Sequence, residues 1–388
     1  MNPNAGAPIA PINALGKGLV AGLFLSTTLA GQADWKKHQV HEGFHTNTAI
    51  AGDFSGDGLP DIISNSDNKT RLFVAPDWKE ILLDETQGHN FIHSEAFDID
   101  GDGDLDYIGA RYQPGLLAWL EQPDQPLSQP WPLRIISTEL NGIHGVLRGD
   151  VDQDGKLDLI ANSAQPVNTP HPQSLAWLSV PDDPKTADSW PVHIVAKNDA
   201  PGLTHYMGLG DVNGDGRPDI ATGAKGRPSP TGNYFAWWEA GEDPRGVWTK
   251  HLIAEAQLGA TNIHPRDVNG DGKTDFIASR GHGKGILWFE APNWELHGIH
   301  PSLKEPHALI ALDMDGDGDT DAATCAFGAK EAWWFENDGK GHFTNHRVAT
   351  DQEAYDIRAL DMDQDGDLDL IIGGRASKNV AWYENPAK

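Results

Sequence analysis

A nine-residue stretch occurs seven times in this chain and constrains its fold more than any other feature. It begins at Asp53 (DFSGDGLPD), Asp98 (DIDGDGDLD), Asp150 (DVDQDGKLD), Asp211 (DVNGDGRPD), Asp267 (DVNGDGKTD), Asp313 (DMDGDGDTD) and Asp361 (DMDQDGDLD). Oxygen-bearing side chains hold positions 1, 3, 5 and 9, and Gly holds position 6. A hard cation such as Ca²⁺ collects about six to eight oxygens and needs a tight loop to do so. The spacing therefore predicts up to seven calcium turns of structural role. Their side-chain ligands would be Asp53, Ser55, Asp57 and Asp61; Asp98, Asp100, Asp102 and Asp106; Asp150, Asp152, Asp154 and Asp158; Asp211, Asn213, Asp215 and Asp219; Asp267, Asn269, Asp271 and Asp275; Asp313, Asp315, Asp317 and Asp321; and Asp361, Asp363, Asp365 and Asp369. In the sixth turn the Asp319 carbonyl would add another oxygen.

The first Asp residues are 45, 52, 61, 56, 46 and 48 residues apart, the period of a four-stranded repeat unit. An alternating apolar segment enters each turn and another leaves it (DYIGA, DLIAN, DFIAS, DLIIG), which reads as a strand hairpin. A third strand follows with paired aromatics: LLAWLEQ, SLAWLSV, YFAWWEA, GILWFEA, EAWWFEN, NVAWYEN. Recurring in nearly every unit, these rings read as packing between neighbouring sheets rather than as a catalytic aromatic box. A fourth strand pairs an aromatic with a His three residues on: Trp190 with His193, Trp248 with His251, Trp294 with His297, Phe343 with His346. The last unit lacks that segment, and Trp35-Lys-Lys-His38 ahead of the first turn matches it. The expected architecture is all-β, a seven-bladed propeller of four-stranded blades over residues 34–388, its ring closed by the N-terminal strand so that no sheet edge is left open. A linear solenoid would require caps and gives no reason for one displaced strand.

Composition narrows the function. Against 29 Lys and Arg stand 57 Asp and Glu, a formal charge of −28, and the seven turns alone hold 28 Asp. Such a surface repels phosphate backbones, and with no basic run to compensate, nucleic acid is excluded as a partner. The single Cys325 lies in an apolar strand and reads as a buried, inert thiol. In residues 1–33, Lys17 precedes GLVAGLFLSTTLA and the small-residue site TLAGQA, which resembles a secretory signal peptide cleaved near Ala30 or Ala33. The run is too short to span a bilayer. A secreted or periplasmic protein without a membrane span is expected, in a compartment where calcium is plentiful.

The turns and their flanking strands resemble the FG-GAP or VCBS repeat family, whose seven-bladed propellers carry calcium loops of D-x-D-x-D-G-x-x-D type, as in integrin α-subunits and many bacterial secreted proteins. The resemblance covers Asp34 to Lys388 and implies the fold; one fold hosts many functions.

The functional signal lies at the other end of the same hairpins. Residues before the entering strand and after the leaving strand share a face, away from the turns. Ahead of the turns stand His45, His93, His144, His205, His264 and His307, with Tyr355 and Asp356 in the seventh unit. Behind them stand Asn65, Arg111, Asn162, Lys225, Arg280, His282 and Arg375. Radial symmetry would gather these at the mouth of the central channel. The catalytic candidates are His93, His144, His205 and His264, followed by His307, Tyr355, Arg111 and Arg280. Imidazoles from three strands with an open fourth position suit Zn²⁺ or a similar divalent ion. Without a metal, neutral His and Tyr could act as base and acid. The arginines point to a substrate that is anionic or becomes so in the transition state. Two Pro-rich connections, Ser163 to Ser174 and Lys225 to Asn233, are expected to wall a groove on this face. Glu95 and Arg358, deeper in their strands, are further candidates, with a buried ion pair lining the channel as the plainer reading. Gly272-Lys273-Thr274 imitates a phosphate loop, but Asp267 stands where the first Gly would be.

The segments HSEAFDIDGDGDLD and NIHPRDVNGDGKTDFIASRGHGKG also resemble the propeller domain of aldos-2-ulose dehydratases, sugar lyases that use a metal and eliminate water from a keto-sugar. That resemblance implies a carbohydrate substrate and a lyase or dehydratase performing β-elimination on a keto-sugar or uronate. The rival is a non-catalytic propeller that binds carbohydrate or protein through the same face, as a lectin or adhesion module does.

Overall fold

The computed structural model describes residues 34–226 and 232–386. The proposed signal peptide and the middle of the Lys225 to Asn233 connection lie outside these residues. The described chain forms seven four-stranded antiparallel sheets, the blades of an all-β propeller, and among the described residues there is no α-helix. No described helix is therefore long and apolar enough to cross a membrane.

Each blade runs from the axis outward in chain order. Blade two, for example, comprises Phe91–Phe97, Asp106–Arg111, Leu116–Leu120 and Leu133–Ser137. Blade seven differs: Asp356–Leu360, Asp369–Gly374 and Asn379–Glu384 supply its first three strands, and Lys36–Glu42 is the fourth, antiparallel to Asn379–Glu384 with Lys37 opposite Tyr383. The first and last strands of the described chain thus lie side by side. The innermost strand of blade one also packs against blade seven.

The core lies between blades. Second strands are buried on both faces, so they read as unbroken apolar runs. Trp119, Trp177 and Trp238 on third strands are fully buried. Ile108, Leu117 and Trp119 of blade two, for instance, form one cluster with Leu159 of blade three and Trp190. Burying a side chain of that size contributes about 3 kcal/mol or more from apolar area alone.

The fourth-strand histidines are peripheral. Five of them pack on a third-strand Trp: His38 on Trp382, His193 on Trp177, His251 on Trp237, His297 on Trp288 and His346 on Trp334, at centroid separations of 3.8 to 4.5 Å. Four of the five meet a Glu two residues past the Trp, as His251 Nε2 meets Glu239 at 2.6 Å. Cys325 is buried, and burial pushes its thiol up, out of the range of reactive cysteines.

Candidate functional site: an axial histidine pocket and seven acidic turns

The first strands converge on the axis, and at the end away from the turns they enclose a cavity of about 470 Å³. His93, His144, His282, His307, Tyr206 and Tyr355 line it, with Arg111 and Arg375 at its rim. His205 stacks on His144 at 3.8 Å between ring centroids, and its Nε2 is 2.9 Å from His282 Nε2. His93 Nε2 lies 3.2 Å from His144 Nδ1. His307 stacks on Tyr355 at 3.8 Å. One ring nitrogen each from His205, His282 and His307 falls within 4.8 Å of the others.

Two of these rings have their tautomer set by the backbone. His205 Nδ1 is 3.0 Å from the Leu203 carbonyl oxygen and His307 Nδ1 is 3.3 Å from that of Tyr355. A carbonyl only accepts, so each Nδ1 carries the proton and each neutral ring presents a lone pair at Nε2. His307 Nε2 is buried without a hydrogen-bond partner. A buried, unmet lone pair beside two other imidazole nitrogens is the donor set a divalent transition metal takes, and a backbone carbonyl on the far nitrogen is the support such ligands have. The residues present fit the group.

Burial keeps these rings neutral. It lowers His93, His205 and His307 well below the ordinary imidazole value, and puts His144 at about 3 with Lys225 adding to the effect. His282 is the most exposed, yet the protein around its ring and the Lys225 charge hold it to about 4. Burial moves Tyr206 and Tyr355 the other way, so both phenols stay protonated. Tyr355 therefore presents a protonated phenol and a stacking surface to the cavity.

Not every expected residue arrives. His264 stands three residues before its turn, where His144, His205 and His307 stand six before theirs. At about 3.3 Å per residue this carries it roughly 10 Å along the channel. There its Nε2 bonds the Leu309 carbonyl at 2.8 Å beside Arg266. Arg280 turns outward to Gln257 Oε1, 3.0 Å from its Nε. His45 is exposed and outside the cluster. The expected wall from Ser163 to Ser174 is replaced by Gly88, Asn90 and Tyr112 to Pro114, though Gln165 Nε2 donates to Tyr112 Oη at 2.7 Å. Arg111 braces this wall by donating to the carbonyls of Pro114 and Gly88.

Tyr206 escapes a one-residue-per-blade reading because it follows His205 directly. The register of its strand shifts between Thr204 and Met207, and such an irregularity lets consecutive residues turn to the same side. Its hydroxyl donates to the Tyr355 carbonyl at 2.8 Å. The sequence signal for His282 is Gly-His-Gly: a Cβ on Gly281 would stand 2.8 Å from His307 Cα, so only glycine lets this loop approach the axis.

At the opposite end, positions 1, 3 and 9 of the turns converge. Carboxylate oxygens of Asp98, Asp100 and Asp106, of Asp150, Asp152 and Asp158, and of Asp313, Asp315 and Asp321 lie within 4.8 Å of one another in each set. Asp152 Oδ1 is buried without a hydrogen-bond partner, an acceptor that suits a cation. The ninth-position carboxylate is the most buried member and also ties strands together: Asp321 accepts from Met314 N at 3.1 Å and Asn337 N at 2.7 Å. Burial raises these acids, Asp106 to about 8 and Asp158 and Asp321 to about 7. The fifth-position residues stand apart, each using one oxygen on the amide two residues on, as Asp271 does with Lys273 N at 2.9 Å.

Fold and turns together define a propeller built of acidic-loop repeats. Residues 98–161, 207–278 and 313–372, just over half of the chain, match the FG-GAP-like repeat, and the chain belongs to that family. None of the curated protein sequences matches it. Among solved structures it is similar to a streptogramin B lyase (11% identity, 90% of this chain and 98% of that one, TM-score 0.59). It is also similar to BBS1N, solved in complex with ARL6DN (11%, 91% and 97%, 0.59), and to the V. cholerae biofilm matrix protein Bap1 (10%, 92% and 92%, 0.52). At such identities the likeness is one of fold.

Proposed function

We propose that the protein is a secreted, calcium-stabilised lyase that performs β-elimination on a keto-sugar or uronate in the axial pocket. The observation that carries this reading is the pair of backbone-fixed tautomers at His205 and His307, which turns two Nε2 lone pairs toward His282. These three residues would hold Zn²⁺ or a similar divalent ion, which when bound supplies a Lewis acid for a substrate carbonyl. His144, neutral and in the cavity, takes the proton from the carbon α to that carbonyl. The C–H electron pair becomes the new C=C bond as the β C–O bond breaks. His93, hydrogen-bonded to His144, relays a proton to the departing oxygen, which leaves as water or as a sugar hydroxyl. Arg111 and Arg375 at the rim attract the anionic or hydroxyl-rich part of the substrate. Calcium in the seven turns has a structural role, tying together carboxylates that repel one another.

The test is to load the protein with calcium and zinc, incubate it with keto-sugars and uronate polysaccharides, and follow ultraviolet absorbance for a conjugated double bond. Activity on at least one substrate is expected, with a loss of about 100-fold and of tightly held zinc in His282→Ala. A protein that holds no transition metal and gives no signal over the panel is a binding propeller, and the lyase reading falls.

A further inference from the structure

The channel has a second chamber at its turn-side end, and three of the chain's few arginines meet on its wall. Arg148 of blade three, Arg266 of blade five and Arg358 of blade seven line one cavity of about 740 Å³ and an adjoining one of about 300 Å³. Tyr206 lines both the adjoining cavity and the histidine pocket, so the two chambers meet at its ring.

The three guanidiniums are held in place by neutral groups. Arg148 Nη1 donates to the Ala96 carbonyl, Arg266 Nε to that of Ala311 at 3.2 Å, and Arg358 Nη2 to that of Ser94 at 2.9 Å. The nearest carboxylates stand farther off: Glu95 Oε1 is 3.9 Å from Arg148 Nε, and Asp356 Oδ1 is 3.5 Å from Arg358 Nε. Asp356 Oδ2 is occupied by Thr48 Oγ1 and Ala49 N. The remaining acids on the wall, Asp53 and Asp361, give their oxygens to amides of their own turns. His264 is spent on the Leu309 carbonyl. Arg358 Nε is buried and makes no hydrogen bond, its ion-pair partner Asp356 Oδ1 lying 3.5 Å away.

Fixed guanidinium forks from three sides of an axis are complementary to a tetrahedral oxyanion, which accepts paired N–H donors on several faces. We propose that the turn-side chamber is an anion site distinct from the histidine pocket, taking a sulfate- or phosphate-type group, either free or as an ester on a sugar. Its existence does not depend on the lyase reading.

Isothermal titration of the calcium-loaded protein with sodium sulfate and with glucose 6-sulfate tests it. Saturable binding of at least one is expected; tighter binding of the ester identifies a sugar ester as the ligand, and equal binding a free anion. Arg148 is half-exposed, so Arg148→Gln is expected to fold and to bind about tenfold more weakly. Glu95→Gln, which removes the competing carboxylate, is expected to bind more tightly, and His282→Ala to bind unchanged. No binding of either probe, or equal affinity in Arg148→Gln, Glu95→Gln and the parent, overturns the proposal.

Discussion

His264 and His282 show how much at the axis turns on single residues. Both come from the same blade and both looked axial from the sequence, yet one meets two other imidazoles and the other bonds a carbonyl beside an arginine. Alternation along a strand gives the side a residue faces but leaves its depth open, and depth is what separates these two. The same holds for Tyr206, exposed to the axis by a register shift that no spacing announces. A direct consequence concerns metal content. After dialysis against a mild chelator, His264→Ala is expected to retain zinc at the level of the parent protein, whereas His307→Ala loses it with the fold intact by circular dichroism. Equal zinc loss in both variants would place the metal elsewhere in the channel.

At the scale of the element, the turn and the hairpin it joins are one unit. The ninth-position carboxylate is buried because it pins the turn to the third strand through two amides, as Asp106 does with Ile99 N and Gln122 N. Burial without a cation raises its pKa, and the direction fixes a stability trend. Once pH passes about 4 the unfolded chain releases these protons, while the folded, metal-free turns keep them up to about 7 or 8. The native state then binds more protons than the unfolded one, so this contribution falls as pH rises across that window. Melting of the calcium-free protein should therefore show a decline from pH 5 to pH 8 that saturating calcium abolishes. Asp106→Asn removes one titrating group and should flatten the decline, even though it weakens the turn. A variant that keeps the full slope would mean that the ninth position is not its source.

Over the whole molecule, the fold was legible because seven copies of one oxygen pattern cannot be an accident of composition, and because a strand missing at one end of the chain was visible at the other. The pairing of Lys36–Glu42 with Asn379–Glu384 follows that displaced pattern. The interblade core was legible too, since paired aromatics recur at one place in each unit. The axial site was legible as a face and not as a set of contacts: His93, His144, His205 and His307 do gather there, but their partners arrive through loops of irregular length. The turn-side arginines were not legible as a group because each comes from a different blade, and only the structure shows that carbonyls hold all three, with Glu95 at 3.9 Å from Arg148 and Asp356 at 3.5 Å from Arg358.

Under the proposed function two metals would sit at the two ends of the same hairpins, held by imidazole nitrogens at the axis and by hard oxygen donors in the turns. Crystals grown with both calcium and zinc, measured on either side of the zinc absorption edge, test this most directly. One edge-dependent peak is expected on the axis, about 2.0–2.1 Å from the Nε2 atoms of His205, His282 and His307, and none in the turns. An axis without such a peak, or zinc confined to the aspartate turns, would contradict it.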